Sequence, residues 1–239
     1  MNLISLQDLI NSKVQIGHLS KQSLNSYKQK FVYKIINNIC IIDLIQTYKY
    51  LLKSYIFFYK IGVYNKKILF INTQNNYNTL IEKSAILTDQ FYLTKYFIPG
   101  ILTNWKIIQK NILLLNWFYK IIILNKKNNF LNNINNKIKN KLLKIYYKLK
   151  NKFDILNNMK KVPEIIFILD INKDIKALKE AKKLNKIIIS IVDSNWNYNL
   201  IDLFIPGNNK NYFSIKLILE ILITSLLQGQ FKYKNLLDL

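Results

Sequence analysis

The sequence predicts an α/β fold: a mostly parallel sheet flanked by helices, interrupted by an inserted antiparallel pair of helices. Three observations predict it. Four short apolar runs, "KKILFINT", "EIIFILD", "KIIISIVD" and "DLFIPG", are each bounded by charged or polar residues, as buried parallel strands are. Segments with helical spacing alternate with them, which argues for βαβ units with right-handed crossovers. The middle of the chain abandons that rhythm for two long stripes of helical period.

Residues 1–40 are polar and irregular in pattern and read as an extended or helical segment. "KKILFINT" (Lys66 to Thr73) is the first clear strand, "TLIEKSAIL" after it a helix, and "DQFYL" (Asp89 to Leu93) a shorter strand. In the middle, Ile108, Ile112, Leu115, Tyr119 and Ile122 recur at spacings of four and three, as do Ile138, Leu142, Ile145 and Leu149. The stretch "NKKNNFLNNINN" between them is a poor helix former. Two such stripes joined by a polar turn predict an antiparallel helical hairpin in which each stripe buries the other. Thereafter "EIIFILD", "DIKALKEAKKL", "KIIISIVD" and "DLFIPG" read as strand, helix, strand and short strand, and "FSIKLILEILITSLLQG" as an apolar helix. The expected organisation is an α/β domain from residues 1–105 and 159–229, a hairpin insertion at 106–158 and a tail at 230–239.

The charge is the strongest functional signal. A net +23, from 36 basic against 13 acidic residues, exceeds what solubility needs and points to a polyanionic partner, nucleic acid first. Every basic residue is lysine, and Asn, Ile, Tyr, Phe and Leu are abundant, so drift towards A- and T-rich codons contributes. Drift would load the chain evenly, and it is not even. Lys106 to Lys161 holds 14 lysines against the single acid Asp154, a net of +13, while Val162 to Gly207 holds six of each. The middle segment is therefore where the polyanion should lie. Lys137, Lys139, Lys141, Lys144, Lys148, Lys150 and Lys152 would decorate the outer faces of the hairpin.

Enzymatic signals are weak. Asp170 and Asp193 end predicted strands, the edge where parallel sheets bind ligands, but an aspartate there more often caps a helix, and Asn172 or Asp174 supplies a further cap. The five glycines, Gly17, Gly62, Gly100, Gly207 and Gly229, are too far apart to build a phosphate-cradling loop, so no nucleotide cofactor is expected. His18 is the sole histidine and Cys40 the sole cysteine. No metal cluster, disulfide framework or self-contained Ser-His-Asp relay is expected unless His18 shares a cleft with an aspartate. No catalytic residue, metal or small-molecule substrate is assigned. Apolar runs such as "NILLLNWFYKIIILN" break well short of about 20 residues, so no membrane partner is expected. Tyr92, Tyr96, Phe97 and Trp105 cluster with Lys95 and Lys106 in "FYLTKYFIPGILTNWK", the mixture of rings and cations that holds RNA.

Five ordered blocks, "IGHLSK", "KKILFINT", "DQFYLTKYFIPGILTNWK", "PEIIFILDINKDIKALKEAKKL" and "ISIVDSNWNYNLIDLFIPGN", resemble the bacterial-type ribosomal protein S-two family of the small subunit. The resemblance runs from about Leu3 to Gly229. It implies a Rossmann-like or flavodoxin-like domain with a protruding coiled-coil hairpin and a structural role without catalysis. It further implies binding to small-subunit rRNA between head and body, beside neighbouring small-subunit proteins. His18, Lys21 and Asn104 match the family pattern as RNA-side residues; Tyr27, Lys28 and Lys30 rest on charge and position. Lys95, Tyr96, Trp105, Lys106, Lys110, Lys137, Lys141, Lys144 and Lys148 complete the expected rRNA-binding set. Where the family commonly has Arg-Trp, this chain has Tyr96 and Phe97, so Lys95 stands in as a point charge rather than a guanidinium fork. Two other readings stay open at this stage: an orphan α/β enzyme using Asp170 and Asp193, and a free-standing RNA-binding assembly factor. The compositional bias and the absence of a targeting peptide suggest an organelle ribosome, plastid or apicoplast first, with a mitochondrion or a reduced bacterium as alternatives.

Overall fold

The computed structural model of the chain describes residues 4–128 and 136–237, and these fall into two compact units, residues 1–97 with 163–239, and Ile98–Val162.

In the first unit, α1 (Leu6–Asn11) starts at a reciprocal cap: Ser5 Oγ accepts from the Asp8 amide while the Asp8 carboxylate accepts from the Ser5 amide. The polar N-terminal stretch, expected to be extended or helical, is both. It forms β1 (Ile16–Leu19), α2 (Asn25–Phe31), β2 (Val32–Ile36) and β3 (Ile39–Ile42), with the strands in a separate antiparallel sheet ordered β1-β3-β2. That sheet escapes periodicity because its strands are short and β2 exposes four of its five residues. Asn37 and Asn38, both at positive φ, make its hairpin turn. Next, α3 (Leu44–Val63) is capped by the Asp43 carboxylate, which accepts from the Ile45 amide.

Five strands then build the main sheet. They are β4 (Ile68–Ile71), β5 (Phe91–Leu93) after α4 (Asn78–Leu87), β6 (Ile165–Ile168), β7 (Ile187–Val192) after α7 (Ile175–Lys183), and β8 (Leu203–Pro206). The order is β5-β4-β6-β7-β8 and every pairing is parallel. β4 steps outward to β5 on one side and β6 steps to β7 on the other, so right-handed crossovers carry α4 and α7 to opposite faces. One face buries Phe70, Phe167, Leu169, Ile189, Ile191 and Ile205 against α3, α4 and the last helix, α8 (Tyr212–Leu237). On α7, the buried Ala177, Leu178 and Ala181 belong to the opposite face. An aromatic cluster of Tyr27, Phe31, Tyr50, Tyr198 and Phe204, with centroids 4.6 to 6.4 Å apart, ties α2 and α3 to β8.

Residues 230–237, expected as a tail, continue α8 instead. By length and composition α8 could cross a membrane, yet half of that stretch is buried in the core; its apolarity comes from packing on α3. The two helices cross at Gly62 and Gly229. A Cβ at Gly229 would strike the Tyr59 carbonyl and approach Gly62 Cα to 3.0 Å.

The second unit holds α5 (Trp105–Asn128) and α6 (Asn136–Phe153), which pack on each other. The joining stretch "NKKNNFLNNINN", read as a poor helix former, begins by continuing α5 to Asn128 and ends in the first residue of α6; residues 129–135 between them, and the side chain of Ile138, lie outside the described residues. On α5 the buried stripe is Ile108, Ile112, Leu115 and Phe118, while Tyr119 is exposed. On α6 the most buried residues are Tyr146 and Phe153, while Ile145 is 37% exposed. Each expected stripe is thus displaced by one residue in places. A period of 3.6 falls between 118 and 119 and between 145 and 146; Phe118 goes inward because the Tyr119 hydroxyl keeps its own ring tip in water.

Candidate nucleic-acid interface

At the carboxyl edge of the main sheet the structure separates the two aspartates singled out by sequence. Asp193, after β7, meets His18 from β1: Nδ1 lies 2.8 Å from Asp193 Oδ2, and both side chains are buried. A shared cleft is thus realised, but the other ring nitrogen faces the Asn195 amide at 3.3 Å, not a nucleophile. The surrounding contacts are structural. Ser194 Oγ accepts from the His18 amide at 3.0 Å and from Ser23 Oγ at 2.9 Å, and Cys40 Sγ donates to Ser23 Oγ at 3.3 Å. The Leu24 amide donates to the Ser194 carbonyl. Gly17 permits this approach, since a Cβ there would lie 2.9 Å from the Cys40 carbonyl and 3.1 Å from Asp193 Oδ1. The turn "VDSN" is the clasp that fastens the small sheet to the large one.

Asp170 sits at the switch point between β4 and β6, where open α/β sheets bind ligands. Here the crevice is stitched internally. Asp170 accepts from the Asn172 amide at 2.9 Å and from Gln74 Nε2, and Asp174 accepts from Thr73 Oγ1 at 2.8 Å and the Thr73 amide at 3.2 Å. Asp174 is the N-cap residue of α7 but makes no side-chain cap bond; its carboxylate is taken up by Thr73, in the loop that follows β4, instead. Burial raises the pKa of both aspartates, opposed at Asp170 by the Asn172 and Lys173 amides and the Lys173 and Lys210 charges, and at Asp174 by Thr73.

A carboxyl group whose folded-state pKa is raised contributes stability that is present below the unfolded value of about 4 and is lost as pH rises through the folded value. Urea titrations from pH 4 to 7 should therefore show wild type losing stability relative to Asp170→Asn/Asp174→Asn. Parallel curves at every pH would refute the desolvation.

The expected RNA-side residues divide by exposure. Lys21 and Lys30 are exposed and Lys28 half-buried; Lys30 Nζ lies 5.5 Å from the Tyr198 ring centroid. Lys95 and Tyr96 are exposed at the turn after β5. In the second unit Asn104, Lys106, Lys110, Lys137, Lys141, Lys144 and Lys148 are exposed. Lys139 and Lys150, also expected outside, are half-buried. Two candidates are corrected. Tyr27 is fully buried, with its hydroxyl donating to the Val192 carbonyl at 3.0 Å, and burial raises its pKa further with Asp193 and Cys40 nearby; it is core. His18 is 8% exposed and belongs to the clasp, on the wall of a cavity of about 320 Å³ that Gln22, Asn208 and Lys210 also line. Trp105 is half-buried, with Nε1 donating to the Lys160 carbonyl at 3.2 Å, so it closes its own unit. Sequence reasoning missed Tyr33 and Lys34, which stand exposed on β2 with Lys34 Nζ 5.7 Å from the Tyr33 ring; no periodicity marks that strand.

An α/β body whose sheet edge is closed by its own side chains, joined to an insertion with lysine on its outer faces, defines a scaffold that binds a polyanion. The chain matches the family model "Ribosomal protein S2" over residues 9–229. It is 32% identical to the "Small ribosomal subunit protein uS2c" of Galdieria sulphuraria, covering 96% of this chain and 95% of that one. The protein of the same name from Toxoplasma gondii is 35% identical, with 96% and 98% covered, and that of Phaeodactylum tricornutum 32%, with 96% and 100% covered. The chain belongs to the ribosomal protein S2 family, and is accordingly a structural constituent of the small ribosomal subunit, associated with that subunit and its rRNA, and not an enzyme.

Proposed function

We propose that the chain serves in the small subunit of a plastid-type ribosome and binds rRNA between head and body through three lysine-bearing surfaces. These are the N-terminal segment around Lys21, Lys28 and Lys30, the Lys95–Tyr96 turn, and the outer faces of α5 and α6, which join as an antiparallel hairpin. Likeness to proteins named uS2c from algae and Toxoplasma gondii supports the compartment. The observation that carries the RNA surface is the exposure of Lys106, Lys110, Lys137, Lys141, Lys144 and Lys148 in a segment whose only acid is Asp154. Lysine contacts to phosphate supply affinity, while the placement of the helices supplies register.

Sedimentation of the native protein through high-salt sucrose gradients tests this reading. Migration with the small subunit, and release as salt rises, is the expected result. Tight RNA binding without co-sedimentation would mark a free-standing assembly factor instead. Asp170→Asn/Asp193→Asn should leave RNA association nearly intact, because both carboxylates hold the fold.

A further inference from the structure

A sizeable groove outside the clasp and the lysine faces runs against the charge of the molecule. A cavity of about 560 Å³ lies among α1, α3 and α8, walled by Ile4, Tyr55, Leu217 and Ile221 with Asp8 and Glu220 at its rim. A second, of about 340 Å³, continues it past Ile4 and Leu6 to Ile45 and Tyr48 on α3. Leu6, Ile10 and Ile45 beside this trough are 49 to 59% exposed. On a chain of net charge +23, the charged residues lining the two cavities among the described residues, Asp8 and Glu220, are both acids; Glu220 makes a surface ion pair with Lys216 of the same helix at 3.7 Å, both side chains about half exposed. Polyanionic RNA would be repelled by such a rim, and its phosphates find no partner among aliphatic walls.

We propose that this trough docks a lysine- or arginine-bearing amphipathic helix of another small-subunit protein. Its aliphatic side chains would lie along Ile4, Leu217 and Ile221, and its cations would meet Asp8 and Glu220, the helix-in-groove mode with electrostatic complementarity at the rim. The role goes beyond rRNA binding and uses a surface with none of the proposed RNA contacts.

The test uses the full-length protein and two synthetic helical peptides, with leucine at positions i, i+3, i+4 and i+7 and either lysine or glutamate on the flanks. The overall positive charge favours the glutamate peptide, so preference for the lysine peptide can come only from the local site. Fluorescence anisotropy at physiological salt should show the lysine peptide binding at least about tenfold tighter, close to 1.4 kcal/mol. Glu220→Lys should remove that preference, and Thr224→Trp, which fills the groove, should weaken both peptides while RNA affinity stays unchanged. Equal or tighter binding of the glutamate peptide, or a preference untouched by Glu220→Lys, overturns the proposal. A photo-crosslinker placed at Thr224 should, in assembled subunits, label a lysine- or arginine-rich helix of another protein. Labelling of rRNA, of a second copy or of nothing overturns it too.

Discussion

Gly229→Val should be the most damaging single substitution in the α/β unit. Helix propensity alone forecasts the opposite sign, since glycine inside a helix costs about 1 kcal/mol relative to alanine. Sterics win because the atoms in the way are backbone. A Cβ at Gly229 overlaps the Tyr59 carbonyl and comes within 3.0 Å of Val63 N, while one at Gly62 lies 2.7 Å from Gln230 N. Neither helix can yield by rotating a side chain, so α3 and α8 must separate. Leu51, Phe58, Leu222 and Leu226, all within the core cluster, would lose contacts as they do. Overpacking costs about 1 to 3 kcal/mol and more where the backbone must move. A loss of about 4 kcal/mol would lower Tm by roughly 8 to 16 °C in a chain of this size. Gly100→Ala is the control: its φ of +89° strains alanine, but the nearest side-chain atom is 3.9 Å away, so the cost is backbone strain of about 1 to 3 kcal/mol. A Gly229→Val protein melting within a degree or two of wild type would show that the crossing is not tight.

The second large effect concerns electrostatics. If some ten phosphates are neutralised, the slope of log K against log salt for rRNA should fall between about −7 and −9, and affinity should drop by about 10⁴ to 10⁵ between 50 and 200 mM salt. Replacing Lys141, Lys144 and Lys148 with glutamine keeps helix propensity nearly constant, and these exposed side chains contribute little to the core. The triple variant should retain wild-type helicity and Tm while its slope becomes shallower by about 2 to 3. A wild-type slope near zero, or one unmoved by the triple variant, would remove the insertion from the RNA interface.

The α/β class was legible because burial on both faces forces a strand to be apolar throughout. β4 and β6 are buried at every position, and "KKILFINT" and "EIIFILD" announce it. The lysine bias of α6 was equally plain, since charge needs no fold to be counted. The small antiparallel sheet was not legible: β2 exposes Tyr33, Ile35 and Ile36, so its apolar residues follow no buried face. Two of the expected RNA residues in the N-terminal segment were misread for a related reason. Tyr27 and His18 have side chains as suited to a core hydrogen bond as to RNA, and only their partners, Val192 and Asp193, decide between the two.

By itself, then, the sequence determined the strand runs, the helical insertion and the sign and placement of the charge, since each depends on residues near one another along the chain. Tertiary structure alone decided that His18 would meet Asp193 across 175 positions, that Asp170 and Asp174 would close the switch-point crevice, and that Gly62 and Gly229 would face one another. Such pairings arise where the sheet order and helix crossings bring distant segments together, and no local period encodes which backbone will lie within 3 Å of another.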